Sequence, residues 1–291
     1  MTALELVKLT PLMEHTSGRP EIVIALIDGP VLMDRPDLWS SNVQHLRRNL
    51  PATCAQSTSA ACMHGTFVAG MLSAKRSSVA PAICPDCTLL VRPIFSEAVE
   101  GNGQMPSASP AELAEAIIDV VKAGARVINL SAALAQPSSR GERDLEQALN
   151  LAAARGVITV AAAGNQGAIG SSAITRHPWV IPVAGCDAQG RPSGESNFGS
   201  SIGRRGLSAP AENITSLGAD GKPRTFGGTS AAAPFVTGTL ALLWSEFPSA
   251  SATQVKSSLG QVNGVRRNAI VPPVLDASAA YQALSRANRG K

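Results

Sequence analysis

The stretch Phe226-Gly227-Gly228-Thr229-Ser230-Ala231-Ala232-Ala233-Pro234 stands directly before a helix-length apolar segment, residues 235–244. It places the hydroxyl of Ser230 at the start of a predicted helix, where only small residues surround it. The N–H groups and the positive dipole end of a helix favour negative charge, so this is a suitable place for a nucleophile that attacks a carbonyl. An ordinary helix N-cap is the alternative interpretation of the same residues.

Upstream of this stretch, apolar strands alternate with helical segments. The run 22–27 is continuous and largely β-branched, which is typical of a strand buried on both faces of a parallel sheet. Further strands are predicted at 88–94, 127–131, 157–163, 180–184 and 207–209, and helices at 3–14, 110–123, 141–155, 251–260 and 276–286. The alternation predicts an α/β fold, a mainly parallel sheet flanked by helices on both faces, in a single domain over residues 1–291.

Three polar residues stand out against this framework. Asp28 ends the first strand, and Asn165 follows Gly164 at the end of the fourth, which is where open α/β sheets place their sites. His64 is predicted to begin a helix of small residues, after polar surface loops and a short helix in 34–61. Taken singly, Asp-Gly-Pro at 28–30 is also a turn, and a lone histidine is usually structural.

The chain order Asp28, His64, Ser230 is that of subtilisin, and the surrounding sequence resembles the subtilisin-like serine peptidases. Five blocks carry the resemblance and span nearly the whole chain in the family's order. They are 25–29 (Ala-Leu-Ile-Asp-Gly), 64–70 (His-Gly-Thr-Phe-Val-Ala-Gly), 127–131 (Val-Ile-Asn-Leu-Ser), 161–165 (Ala-Ala-Ala-Gly-Asn) and 228–234 (Gly-Thr-Ser-Ala-Ala-Ala-Pro). The resemblance implies a subtilisin-like three-layer fold and a serine endopeptidase.

The resemblance also implies the catalytic roles. Ser230 Oγ would attack a peptide carbonyl, His64 would take its proton and return it to the leaving amine, and Asp28 would orient the imidazole. The Asn165 amide and the Ser230 backbone N–H would face the developing oxyanion. This chemistry requires neither a cofactor nor a metal.

Substrate binding is implied in the same way. An extended peptide would pair with two edge strands, and Met105 would line a pocket a few residues upstream of the cut. The substrate-binding residues implied are Gly101, Asn102, Gly103, Met105, Ser131, Ala132, Ala133 and Gly164.

Two departures and two further motifs refine the resemblance. Gly29 stands where the family usually has Ser or Thr, and Phe67 where it has a second His. The motif Asp28-Gly29-Pro30-Val31 and the motif Cys84-Pro85-Asp86-Cys87 are closer to the subtilases of cyanobactin-type peptide biosynthesis. Those enzymes remove leaders from ribosomal precursor peptides or macrocyclise them.

The interval between Asp28 and His64 has little room for the shielding helices of a macrocyclase. We therefore expect hydrolysis, by a dedicated protease that removes the leader from a precursor peptide. A broad degradative peptidase and a catalytically silent, peptide-binding member of the family are the alternatives.

Composition excludes other classes of function. With a net charge of +4 and 3% aromatic residues, nucleic-acid binding is disfavoured, and no apolar run is long enough for a membrane span. The sequence shows neither a signal peptide nor room for a folded prodomain before Asp28, so a cytoplasmic location is expected.

Five cysteines in such a chain predict mainly reduced thiols. A Cys54–Cys62 disulfide, or a zinc site of Cys54, Cys62, Cys84 and Cys87, is the less favoured alternative. Calcium at Asp37 is disfavoured by the cations Lys75 and Arg76, and no metal is predicted.

Overall fold

The computed structural model describes residues 1–38, 42–46, 51, 53–97, 108–131, 142–260 and 269–289. Its strands are β1 (Val23–Asp28), β2 (Val43–His45), β3 (Thr88–Pro93), β4 (Val127–Leu130), β5 (Ile158–Ala162), β6 (Ile181–Cys186), β7 (Leu207–Pro210), β8 (Ile214–Leu217) and β9 (Pro223–Phe226). Its helices are α1 (Ala3–Leu6), α2 (Thr10–His15), α3 (Ala60–Ser73), α4 (Pro110–Lys122), α5 (Glu142–Ala154), α6 (Ala173–Arg176), α7 (Ser200–Arg205), α8 (Thr229–Glu246), α9 (Ala252–Ser258) and α10 (Ala277–Arg289).

A seven-stranded sheet with the order β2-β3-β1-β4-β5-β6-β7 forms the centre of the fold. Each neighbouring pair of strands in it is parallel. Strand β1 lies between β3 and β4, so the strand order reverses at the carboxyl end that carries Asp28. In open parallel sheets a crevice forms at such a reversal.

Helices cover both faces of the sheet, which confirms the predicted three-layer α/β architecture. Along β1, Ile24 and Leu26 pack into the core that contains α3 and α8, whereas Ala25 and Ile27 pack into the core of α4 and α5. This alternation follows from the two-residue period of a strand. Helix α8 is buried on nearly all sides because almost all of its residues are small or apolar.

The N-terminal segment differs from the single helix predicted for residues 3–14. Two short helices, α1 and α2, are separated at Lys8, whose φ is 51°. The break lets Val7 and Leu9 both reach the core, where each is fully buried, and the carbonyl of Val7 accepts a bond from the N–H of Ala277. Burial of both side chains overrides the helical periodicity that the sequence suggests.

The segment before His64 also differs from its prediction. In the described part of 34–59 the regular element is the edge strand β2, not a short helix. Helix α3 begins at Ala60, because the Ser59 hydroxyl accepts the N–H of Cys62 as an N-cap. His64 therefore lies in the second turn of α3, and the prediction that it begins the helix was wrong.

The expectation of mainly reduced thiols is wrong for one pair. Cys54 and Cys62 form a disulfide, whereas Cys84, Cys87 and Cys186 are buried free thiols. The disulfide uses two of the four ligands in the zinc alternative. It links Cys54, in the segment between β2 and α3, to Cys62 in the first turn of α3, two residues before His64.

We expect the Cys54→Ala variant to lose about 2 to 3 kcal/mol of unfolding free energy, because the cross-link restricts the unfolded chain over a short loop. Urea unfolding measures this difference. Reductant should destabilise the wild type to the same extent and leave the variant unchanged. Equal urea midpoints for variant and wild type without reductant would contradict the prediction.

Candidate active site

Asp28 and His64 form a buried hydrogen-bonded pair. His64 Nδ1 lies 2.7 Å from Asp28 Oδ1, and that oxygen also accepts the N–H of Gly29 at 2.6 Å. The Asp28 side chain is fully buried, while 14% of the His64 side chain is exposed. The pair thus joins the carboxyl end of β1 to the second turn of α3, and a small part of the His64 side chain remains open to solvent.

Two glycines let α3 approach the turn after β1. A Cβ on Gly29 would lie 2.0 Å from the carbonyl oxygen of Ala61, and a Cβ on Gly65 would lie 2.5 Å from the carbonyl oxygens of Gly29 and Pro30. No side chain fits at either position without moving backbone. The departure from the family pattern at Gly29 therefore has a physical reason, because this helix packs directly on the turn.

Opposing effects act on the pKa of His64. Burial lowers the pKa by disfavouring the imidazolium. The charge of Asp28 and the hydrogen bond to its carboxylate raise the pKa by more than burial lowers it, so that it lies above 6.5. The pair therefore favours protonation of this imidazole, as a general base requires when it removes a proton from a hydroxyl.

A second set of contacts fixes the Asn165 side chain beside Ser230. Asn165 Oδ1 accepts the backbone N–H of Thr229 at 2.8 Å and its hydroxyl at 2.9 Å. The Thr229 oxygen in turn accepts the N–H of Gly164 at 3.1 Å. Both bonds engage the carbonyl oxygen of the Asn165 side chain and not its Nδ2 group, so they fix which way the amide is turned. The sequence analysis missed this orienting role of Thr229, although the residue stands in the most informative motif of the chain.

Gly228, the N-cap of α8, is required for that arrangement. Its φ is 87°, a left-handed value that favours glycine, and a Cβ there would lie 2.7 Å from Asn165 Nδ2. The Ser230 hydroxyl follows in the first turn of the helix on a half-buried residue. The prediction that Ser230 lies at the N-terminus of this helix is confirmed.

The two sets of contacts lie at the same edge of the sheet. Asp28 ends β1, and Asn165 follows β5 by three residues; parallel strands present their carboxyl ends on one side. Helix α3 contacts α8, and the rings of Phe67 and Phe226 lie 4.9 Å apart. Phe67, at the second departure from the family pattern, therefore ties the histidine helix to the segment that leads into Ser230.

The predicted substrate-binding residues are only partly described. Gly164 is buried with a φ of 103°, and the buried Ser131 accepts a hydrogen bond from Asn129 Nδ2 at 2.7 Å. The remaining positions lie outside the described residues: Gly101, Asn102, Gly103, Met105, Ala132 and Ala133.

A buried polar chain connects Ser131 to the helix of Ser230. Thr237, two turns along α8, donates its hydroxyl to Asn129 Oδ1 at 2.8 Å, and Asn129 donates in turn to Ser131. Thr239 is equally buried, but its hydroxyl bonds to the carbonyl of Phe235 within the same helix. The two threonines therefore form a natural pair of test positions.

We expect Thr237→Val to lower the free energy of unfolding by about 1 to 3 kcal/mol, because it leaves the buried Asn129 oxygen without its donor. Thr239→Val should cost clearly less, since the Phe235 carbonyl remains in a helix. Urea unfolding of both variants checks the difference. Equal losses would show that the bond between α8 and β4 contributes little.

Two further observations concern calcium binding and membrane spans. The Asp37 carboxylate, considered as a calcium ligand, lies 3.1 Å from the guanidinium of Arg35. In the part of the chain that the structure describes, no helix has both the length and the apolar character of a membrane span.

A family model described as Subtilase family matches residues 19–267 of the chain. The chain belongs to the subtilase family. Over 199 residues this subtilase is 32% identical to the thermostable alkaline protease of Halalkalibacterium halodurans, a match that covers 68% of this chain and 51% of that protein. It is also 32% identical to subtilisin Savinase of Lederbergia lenta over 197 residues, which cover 67% and 68% of the two chains. The match spans about half the length of the curated alkaline protease.

Solved structures resemble this subtilase over nearly their whole length. The protease domain of PatA superimposes with a TM-score of 0.82 at 30% identity, covering 93% of this chain and 97% of that one. The prenylagaramide maturation protease PagA gives a TM-score of 0.79 at 26% identity, covering 95% and 98%. A second PatA structure is described as the patellamide maturation protease. The cyanobactin-type resemblance is confirmed.

Proposed function

We propose that this subtilase is a serine endopeptidase in which Asp28, His64 and Ser230 form the catalytic triad and Asn165 the oxyanion hole. The observation that carries the proposal is the 2.7 Å contact between Asp28 and His64, at the same sheet edge as the Asn165 amide that Thr229 orients. A merely structural histidine would not require a fully buried carboxylate as its partner at this edge.

The chemistry follows from these groups. Ser230 Oγ attacks the carbonyl carbon of the scissile bond while His64 Nε2 accepts its proton, and Asp28 stabilises the imidazolium. Asn165 Nδ2 and the Ser230 N–H bind the negative oxygen of the tetrahedral intermediate. Collapse expels the amine, which takes the proton from His64 and leaves an ester on Ser230. Water then attacks the ester through the same proton transfers and releases the acid.

The substrate class we propose is a ribosomally made precursor peptide whose leader is removed. PatA and PagA, which the chain resembles over more than nine-tenths of their described lengths, are maturation proteases. Ser131 and Gly164 would contact the extended peptide, together with residues outside the described part. A cytoplasmic location and a single peptidase domain over 1–291 belong to the same proposal. One hydrophobic core cluster that includes both Val7 and Leu284 supports the single domain.

The experiment exposes the purified protein and its Ser230→Ala variant to a mixture of unmodified peptides, with products identified by mass spectrometry. A dedicated protease gives few or no cuts in the mixture but one cut in its precursor, and a fluorophosphonate labels Ser230. Many cuts that the variant lacks would favour the broad degradative alternative. Absence of both cuts and label would favour the silent, peptide-binding alternative and overturn the proposal.

A further inference from the structure

The loop that carries Asn165 is held by one side chain from a distant segment. Asn197 Oδ1 accepts the backbone N–H groups of Gln166 at 3.1 Å and Ala168 at 3.0 Å. Its Nδ2 donates to the carbonyl of Ala163 at 3.2 Å and to Gln166 Oε1 at 2.6 Å. The backbone N–H of Asn197 donates to the carbonyl of Gly164 at 2.9 Å. Both chain neighbours of Asn165 are thus bonded to Asn197.

The loop is shaped to admit this side chain. Gly164 has a φ of 103°, and a Cβ at that position would lie 2.4 Å from Asn197 Nδ2. On the other side, the buried hydroxyl of Ser196 accepts the N–H of Gly185 in β6 at 3.0 Å. Asn197 is therefore anchored to the sheet through its neighbour and projects its amide into the loop.

We propose that Asn197 is a positioning residue of the oxyanion hole. It fixes the backbone on either side of Asn165, while Thr229 fixes the orientation of the Asn165 amide. This inference rests on the proposed function, because it assigns Asn197 an effect on catalysis that acts through Asn165. It differs from a general structural role, since the contacts of its side chain converge on the 163–168 loop.

The expected effect is on turnover. A preorganised donor stabilises the oxyanion only if it stands where the charge develops, and removing one such donor in subtilisin costs about 10²–10³ in kcat. We expect Asn197→Ala to shift Asn165 Nδ2 partly away from the oxyanion. This should lower kcat by roughly 10-fold to 100-fold and change KM by less than about threefold.

A double-mutant cycle tests the route of this effect. Kinetics on a cleaved peptide are measured for Asn197→Ala, Asn165→Ala and the double variant. If Asn197 acts through Asn165, adding Asn197→Ala to the Asn165→Ala variant should lower kcat by less than about threefold. Asn150→Ala is the matched control, because its amide oxygen lies 3.1 Å from His177 Nε2 and links α5 to the end of α6. It should leave kcat unchanged.

Hydrogen exchange provides a readout that does not depend on activity. Asn197→Ala should remove the protection of the Gln166 and Ala168 N–H groups, and Asn150→Ala should retain it. If Asn197→Ala does not fold, Asn197→Asp answers the same question, since its carboxylate can still accept both N–H groups. It should keep their protection and lower kcat less than alanine does.

Two kinetic outcomes overturn the inference: an unchanged kcat in Asn197→Ala, or equal losses with and without Asn165. If the wild-type protein neither cleaves peptides nor reacts with a fluorophosphonate, the proposed function fails instead. In that case, loss of protection at residues 166 and 168 in Asn197→Ala still supports the conclusion that Asn197 holds the 163–168 loop. Retained protection refutes that conclusion.

Discussion

Ser230→Ala is expected to lower kcat by about 10⁶, the order known for subtilisin, which belongs to the same family. The substitution removes the oxygen that forms the acyl ester, and Ala231 and Ala232 beside it offer no replacement nucleophile. KM should change little, because the Ser230 side chain bonds to the substrate only as the reaction proceeds. Single-turnover cleavage of an identified peptide, followed by mass spectrometry, measures the loss.

A second serine on α8 gives the matched control. Ser245 is fully buried and donates its hydroxyl to the carbonyl of Ala241 in its own helix at 2.8 Å. Ser245→Ala should therefore retain kcat and KM while changing only the stability of the helix. Activity in Ser230→Ala above a thousandth of the wild-type value would mean that another group supplies the nucleophile.

The candidate catalytic residues could be named from the sequence because they stand at positions that local sequence marks. Asp28 ends a buried strand, Asn165 follows another, and Ser230 lies in the first turn of a helix that begins after two glycines. The carboxyl ends of parallel strands meet at one edge of the sheet, so placement along the chain was enough to assign Asp28 and Asn165 to the same edge. The sheet and its covering helices followed from the same alternation of apolar runs.

The residues that hold the site in place were harder to predict, because their contacts join distant segments. Asn197 bonds to residues about 30 positions earlier, and Thr237 to a residue 108 positions earlier. Polar side chains of this kind look like ordinary loop or helix residues until the fold is known. The Cys54–Cys62 disulfide likewise requires the loop before α3 to bring Cys54 close to Cys62, and composition alone does not determine the path of that loop.

One missed element did have a local signal. Strands β8 and β9 form an antiparallel hairpin, and Asp220-Gly221 stands in the turn between them with a φ of 85° at the glycine. Asp-Gly between short runs that contain β-branched residues is a recognised hairpin signature. The hairpin matters for the site because it positions Phe226 against Phe67.

Asp28→Asn is expected to lower kcat by about 10⁴ at the pH optimum, the order found when the same change is made in a serine-protease triad. Asp28 Oδ1 already accepts the Gly29 N–H, and its 2.7 Å contact with His64 Nδ1 fixes which imidazole nitrogen carries the proton. An asparagine can present its NH₂ group to Nδ1, which places the proton on Nε2 and leaves no base facing Ser230. Asp276→Asn is the control, because it neutralises a half-buried carboxylate that pairs with Lys8.

The same variant should move the pH profile in a direction that the structure fixes. In the wild type the charge and hydrogen bond of Asp28 hold the pKa of His64 above 6.5, so kcat/KM should rise with pH through a midpoint above that value. In Asp28→Asn both raising effects are lost and burial remains, so the pKa should fall below 6.5 and the rising limb should move to lower pH.

The pH dependence of the unfolding free energy follows from the same raised pKa of His64. A folded-state pKa above the unfolded value means that the His64–Asp28 pair stabilises the fold fully below pH 6.5, and that this contribution is lost as pH rises through the folded pKa. Titration of the imidazole by NMR, with urea unfolding at several pH values, tests both statements. A His64 pKa that does not fall in Asp28→Asn would contradict the electrostatic account. A kcat loss without that fall would leave tautomer selection as the reason that His64 needs a carboxylate partner.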